Sequence, residues 1–425
     1  MKSPRGKHNL FAVSAGTGET AINVFQALDT TMLISMDNIL NIDPRREDNA
    51  DELNGMEEAS MIHDLGALSG IDMAFDKAQP QHFAFLFAYG LGNIATVAAG
   101  AGYEHTITPI EDDLDRDRSN PSLSGAFRYG KNVLKRRVAS LFVDSVNATF
   151  AKDSFVKISG SLKGTGKYEN NITDEVIVAA ENVTTLTLAA NGVEGSTASA
   201  RVDNVHSIRA ETSAGVWEEV DFSAVSSATP AEITITAPGI GTGDINYKII
   251  YVSTEAAWCS FPAKVVETAL RVSELIVNVG GKWNGTEFVG GRELTSEVNS
   301  IETQLNNSLE IEFTAGAEGA YASRCFRPAR TQTIKLGREF RDYLLQSRID
   351  NNETFGFYIK AQGASIDQNH NYQVEMIYPL VGVLSAPISV DGKKLAEGGD
   401  LVVLEDAVYG SSIVKVKNEV AGYAG

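Results

Sequence analysis

Cysteine is nearly absent from this chain of 425 residues: Cys259 and Cys325 stand alone. Two isolated thiols form neither a disulfide framework nor a metal-ligand spacing, which fits assembly in a reducing cytoplasm. Positive charge is also short. With 36 Lys and Arg against 55 Asp and Glu, the formal charge is −19. That balance excludes a general surface that grips phosphate, though not one that surrounds nucleic acid without holding it. No apolar run approaches the ~20 residues of a membrane helix. The opening residues, MKSPRGKHNLFAVSAGTGETA, hold only a short apolar piece with acidic residues close behind, so no secretory signal is expected. Without export the Asn-x-Ser/Thr triplets at Asn147, Asn171, Asn182, Asn284, Asn306 and Asn352 carry no meaning.

Catalytic patterns are missing as well. His8, His63, His82, His105, His206 and His370 are scattered singly, with no metal-binding pair. Gly90-Leu-Gly92-Asn-Ile-Ala95 has the outline of a dinucleotide fingerprint but follows a helical stretch, where that motif needs a strand before it. Helix-ending glycines explain it better. Gly16-Thr-Gly-Glu-Thr20 lacks the lysine of a phosphate loop. The acidic run Glu111–Asp117 lacks the glycine and terminal glutamate of a calcium loop. Lys131, Lys135, Arg136 and Arg137 form a basic cluster; an acidic neighbour is expected to meet it, either Glu111–Asp117 or Asp43–Glu58 of another subunit. No catalytic, cofactor-binding or metal-binding residue is assigned, no cofactor is expected, and no enzyme is read from the chain.

What the chain does have is period-two alternation. Arg137–Leu162 reads as two alternating runs joined at Ala151-Lys152-Asp153, a β-hairpin signal. Val138, Ser140, Phe142, Asp144 and Val146 fall on one face. A looser hairpin returns at Pro379–Glu405. Upstream of the first lie a strand at Thr31–Ile34, a charged loop at Asp43–Glu58 and a strand at Gly66–Phe75. A short helix at Gln81–Gly92 and strands at Gly102–Ile110 and Ser122–Gly130 follow. Upstream of the second lie a strand at Ser308–Thr314 and a helix at Gly337–Arg348 burying Phe340, Tyr343 and Leu344. Strands at Phe355–Ala361 and Tyr372–Tyr378 follow. The order recurs about 240 residues downstream, which predicts a duplication. Between the copies, short Thr- and Val-rich strands at regular spacing predict a small β-sandwich with Trp217 and Tyr247 in its core.

The expected architecture is therefore mainly β. An N-terminal arm covers 1–30, a first domain 31–167, an inserted immunoglobulin-like sandwich 168–257, and a second domain 258–425. In this order of parts the chain resembles the tail tube proteins of long-tailed, siphovirus-like phages. The resemblance rests on the polar loop Asp43–Ala59 before the strand Leu68–Phe75, the helix Gln81–Gly92 with the strand Gly102–Pro109, the hairpin region Leu123–Leu162, and the repeat in 308–409. It implies two tandem tube-type domains, each a β-sandwich or barrel unit with one short helix. It implies stacked rings forming a hollow tail tube, assembled in the bacterial host cytoplasm and carried in the virion, through which double-stranded DNA passes without specific binding. A duplicated member closes as a homotrimer with pseudo-sixfold symmetry; a homohexamer is the alternative. Terminator, tape-measure and distal tail proteins are the implied partners, and no membrane is. A multi-domain, non-enzymatic β-rich adhesin or surface-binding protein remains the other reading.

Overall fold

The computed structural model describes residues 5–52, 57–110, 117–130, 134–239, 243–254, 257–315 and 320–424. The chain is mainly β, built from several antiparallel sheets. It divides into two compact units that cut it differently from the expected boundaries. One comprises 1–11, 126–137 and 168–262; the other comprises 12–125, 138–167 and 263–425. Both expected copies thus contribute to a single unit.

The smaller unit holds the sandwich. Ile172–Ala180, Asp244–Val252, Val205–Ser213 and Val216–Glu219 pair in that order as one sheet. Thr185–Thr187, Glu232–Ile235 and Phe222–Val225 form the other. Each strand alternates, and the inward residues of both sheets meet in one core that includes Leu186, Ile208, Ile233, Tyr247, Ile249 and Tyr251. Trp217 is not in it. It lies half-buried on the edge strand, and Tyr251 is the second core aromatic.

The principal strands of the larger unit are β1 (Asn41–Asp48), β2 (Ile62–Phe75), β3 (Gly92–Ala99), β4 (Gly102–Pro109), β5 (Leu134–Ala151), β6 (Lys157–Gly164), β7 (Leu275–Trp283), β8 (Val298–Asn306), β9 (Thr331–Glu339), β10 (Phe355–Ser365), β11 (Asn371–Ser385), β12 (Ile388–Asp391), β13 (Lys394–Leu404) and β14 (Ile413–Asn418). Both expected hairpins form: β5 pairs with β6, and β13 pairs with the end of β11 and with β12. One sheet runs β1-β2-β6-β5-β8-β9-β13-β11. Another runs β7-β10-β11-β14-β4-β3, so β11 serves both.

Helix α1 (Pro80–Leu91) touches strands of both sheets, and each of its residues is buried. After Gln81 and His82 of the first turn its sequence, FAFLFAYGL, is apolar all round, as a helix inside a core must be. Proline sets the first turn. Gly92 ends the helix at φ 96°, in the left-handed region glycine enters without a Cβ penalty.

Two expectations are corrected. Residues 331–339 are strand, because Gln332, Ile334, Leu336 and Arg338 alternate into the core; the helix begins only at Leu344, after Asp342 accepts its N–H at 3.0 Å. Tyr343 is exposed, and Leu345 is the buried residue. The Asp43–Glu58 loop is β1 as far as Asp48, and its residues 53–56 lie outside the described residues.

Two titratable groups sit at the start of α1. His82 stacks on Phe75 at 3.9 Å, and its Nδ1 accepts the Gln79 N–H. Burial holds it down to about 3. Glu267 accepts the Gln81 N–H at 2.7 Å, and burial pushes its carboxyl up to about 7. The signs oppose. Neutral His82 contributes stability that is complete above 6.5 and is lost as pH falls towards 3. Protonated Glu267 contributes stability that is complete below 4.5 and is lost as pH rises through 7. Between pH 5 and 6.5 the two slopes offset each other. Glu267→Gln keeps the acceptor and removes one slope, so the variant should lose on the order of 2 kcal/mol relative to wild type on acidification from 6.5 to 5. Urea midpoints across that range check it; parallel curves refute it.

Candidate functional site

The eight-stranded sheet is two four-stranded sheets joined within one chain. In the first, β1-β2-β6-β5, Val143 pairs with Leu162 and Ser145 with Ser161, leaving Asp144 as an extra residue. In the second, β8-β9-β13-β11, Val383 pairs with Leu401 and Ser385 with Asp400, leaving Leu384 extra. The bulge falls at the same place. Inward from it, Ile71–Leu162 corresponds to Ile334–Leu401. The outer strands follow suit: Ile42 opposite Ser69 matches Leu305 opposite Gln332.

β5 of the first sheet pairs with β8 of the second, from Ser145–Asn306 to Ala151–Ser300. One face of the combined sheet is core: Val146, Phe150, Ile158, Leu162, Ile301, Leu305, Ile334 and Leu401 are all buried. The other carries short polar side chains, including Ser145, Asn147, Thr149, Ser159, Ser161, Gln304 and Thr333, none of them buried. Its charges alternate in sign. Lys335 lies between Glu302 on β8 and Asp400 on β13, and Asn147 donates to Glu302 at 2.8 Å.

The bulge also corrects a face assignment. Val146 points into the core, but Phe142 lies beyond the bulge on the opposite face, opposite Lys163. It is buried all the same, under Leu309 and Cys325.

The ends of the sheet are unlike its middle. Among the described residues, β1 pairs only with β2, and β12 only with β13. Beside β12, Ile388 is 47% exposed, Val390 73% and Leu384 67%. Before β1, Met36 and Ile39 are exposed too. Apolar residues on unpaired edges invite a further strand.

A buried ion cluster fixes the β12–β13 end. Arg338 on β9 is fully buried and reaches Glu397 at 2.6 Å, Glu297 at 3.2 Å and Asp342 at 3.1 Å. Gln346 donates to the other Glu397 oxygen at 2.9 Å. Arg292 also pairs with Glu297 and Asp342, so two guanidiniums face the three carboxylates, and removing one member would strand the rest.

The sequence candidates for chemistry do not converge. Gly90–Gly92 closes α1 and precedes a strand, the reverse of a nucleotide-binding turn. Residues 111–116 of the acidic run, and Lys131, lie outside the described residues. The rest of the basic cluster finds partners in its own unit. Lys135 donates to the Cys259 carbonyl at 3.1 Å, Arg136 to Asn170 at 2.8 Å, and Arg137 pairs with Glu169 at 2.7 Å. Arg137 thus has an acidic neighbour within its own unit, Glu169. Both cysteines are buried, and burial pushes the Cys325 thiol up to about 12, far from a reactive thiolate. Among the described residues no three His, Cys, Asp or Glu side chains gather as a metal site. The strand edges could have been found from Ile388 and Val390, whose alternation continues past Pro387 with no inward partner. Compared with known protein families and with curated proteins, the chain matches none.

Arg338→Met should lower unfolding free energy by about 3–5 kcal/mol, because Glu397 is left buried without its cation. Arg338→Met combined with Glu397→Gln should recover part of it. Chemical denaturation of both variants decides; equal losses would refute the cluster's role.

Proposed function

We propose that the chain is a structural subunit of a phage-type tail tube, closing into rings through the edges of its eight-stranded sheet. The observation that carries this reading is the β5–β8 junction. Two equivalent four-stranded sheets, bulged at the same residue, are already joined edge to edge, and the outer edges repeat the same elements unpaired. Copying that junction between chains sets Ile388 against Leu40 and Ala386 against Ile42 of a second copy, as Ala148 meets Thr303 and Val146 meets Leu305 within one. Pro387 lacks an N–H, so pairing would run on either side of it.

Three chains so joined supply roughly 24 strands. At ~4.8 Å per strand and a ~40° tilt, the barrel measures on the order of 50 Å across the backbone. That bore admits a duplex, and the polar face supplies a lining without a continuous cationic stripe. In this reading the two halves of the larger unit are tandem tube-type domains, the seven-stranded sandwich is an immunoglobulin-like insertion, and DNA passes without specific contacts. Terminator, tape-measure and distal tail proteins would be its partners in the virion.

The edge residues are exposed, so changing them should leave the monomer intact. Ile388→Lys with Val390→Lys should abolish rings and tubes while shifting the urea unfolding free energy by less than about 1 kcal/mol. Electron microscopy of wild type should show rings of three chains. Dispersed monomers at all concentrations would overturn the assignment, and assembly by the double-lysine variant would overturn the edge as its route.

A further inference from the structure

The segment between β8 and β9 lies against the first four-stranded sheet of the same chain. Leaving β8, Asn307 donates its N–H to the Asp144 carbonyl at 2.8 Å, and Leu309 donates to the Asp144 carboxylate at 2.7 Å. Lys163 ties the same place, reaching Asp144 at 3.1 Å and the Leu309 carbonyl at 3.0 Å. The segment then forms a small ladder, Glu310–Glu312 with Arg324–Phe326, that buries Cys325 and Leu309 against Phe142. It returns over the first four-stranded sheet, where Ala67 donates to the Ala320 carbonyl at 3.1 Å and Ala322 to the Thr165 carbonyl at 3.0 Å. Gly66 permits the approach, since a Cβ there would sit 2.4 Å from that carbonyl.

The corresponding segment of the first copy lies between β1 and β2, and its ladder has the same register. Glu47–His63 and Asp48–Ile62 match Glu310–Phe326 and Ile311–Cys325. Here the seat is missing. Ile62, at the place of buried Cys325, is 68% exposed, and Met61 beside it is 56% exposed. The matching seat on the second four-stranded sheet is also open. Carrying the bulge alignment outwards puts Thr165 at Leu404 and Ala67 at Arg330. Both line one groove of about 1370 Å³, with Arg327, Gln332, Val403 and Val408.

We propose that this groove receives the β1–β2 end, Arg46–Asp48 with Ile62–Asp64, of a second copy of the chain, rather than a small ligand. The proposal rests on the ring reading and specifies a contact beyond strand pairing. Charge supports the fit: residues 43–64 carry eight carboxylates against two arginines, while three cations, Arg327, Arg330 and Lys415, line the groove against one carboxylate, Glu405. The two arginines are held in place by Asn120, Asn307 and the Ile110 and Leu91 carbonyls. Apolar surface supports it too, with Ile62 offered on one side and Val408, 76% exposed, on the other. The second bulge, Leu384, is bare where Asp144 is capped.

A photo-crosslinking residue, p-benzoylphenylalanine, in place of Ile62 tests this in the full chain. With isotopically mixed subunits, crosslinks in assembled rings should join position 62 to peptides containing 327–332 or 403–408 of a different chain, and should vanish in the Ile388→Lys/Val390→Lys variant. Ile62→Asp should raise the concentration for half-maximal assembly about tenfold, equivalent to ~1.4 kcal/mol, with an unchanged monomer melt. Rings that form with crosslinks only to other surfaces, or with none, would overturn the docking while leaving the ring reading standing. Wild type that never associates would overturn both.

Discussion

A β-sheet cannot leave apolar edges in water without consequence, and this constraint governs the larger unit. Each four-stranded sheet ends in backbone groups that need partners. Within the chain, β5 and β8 supply each other's at seven successive positions, from Ser145–Asn306 to Ala151–Ser300. The core beneath is then continuous, with Val146, Phe150, Ile301 and Leu305 buried on both sides of the seam. The apolar helix α1 has a place only because two sheets enclose it. The same constraint makes β1 and β12 the reactive ends, since the fold repeats the junction's parts there without joining them.

Much of this was legible in the chain. Period-two runs marked both hairpins, and the proline-to-glycine frame of α1 marked the longest helix among the described residues. Failures share a cause. Phe340, Tyr343 and Leu344 have helical spacing, but Thr331–Glu339 alternates with period two, and sheet pairing on both sides of it won. Phe142 was given the face of Val146 because strict alternation has no means of registering a bulge; Asp144 resets the phase by one residue. Trp217 is expected in the sandwich core, whereas its strand is an edge with one neighbour. The Arg338 cluster has no sequence signature, since its carboxylates come from positions 297, 342 and 397. The division into units was equally hidden, because pairings such as β14 with β4 join residues far apart in sequence.

The two four-stranded sheets share a frame but differ at their bulges. At the first bulge, Asp144 is held by Lys163 and by the Leu309 N–H, a contact made once as the chain folds. At the second, Leu384 stands exposed, and the position matching Lys163 is Val402. A covalently tethered junction tolerates the desolvation of a charge pair, because its partners are at high effective concentration. A junction between separate chains gains more from apolar contact, which has no ordered partner to lose in the free subunit. Under the ring reading, the difference between the two bulges follows that division.

The same logic bears on the polar face. A net charge of −19 suggests a strongly acidic lining for any conduit, yet this face mixes signs. Asp72, Glu302 and Asp400 share it with Lys157, Lys163 and Lys335, among Ser, Thr and Asn. Lys335 is flanked across the ladders by Glu302 and Asp400, so its field is largely cancelled within a few ångströms. Duplex DNA is held by clustered cations that release its counterions. A lining of short hydroxyl and amide groups with locally paired charges offers no such cluster. Under the tube reading, low friction would therefore come from cancellation on the lining, and the acidic excess would lie elsewhere, much of it in the carboxylate-rich β1–β2 end, where Arg327 and Arg330 of a neighbouring copy would meet it.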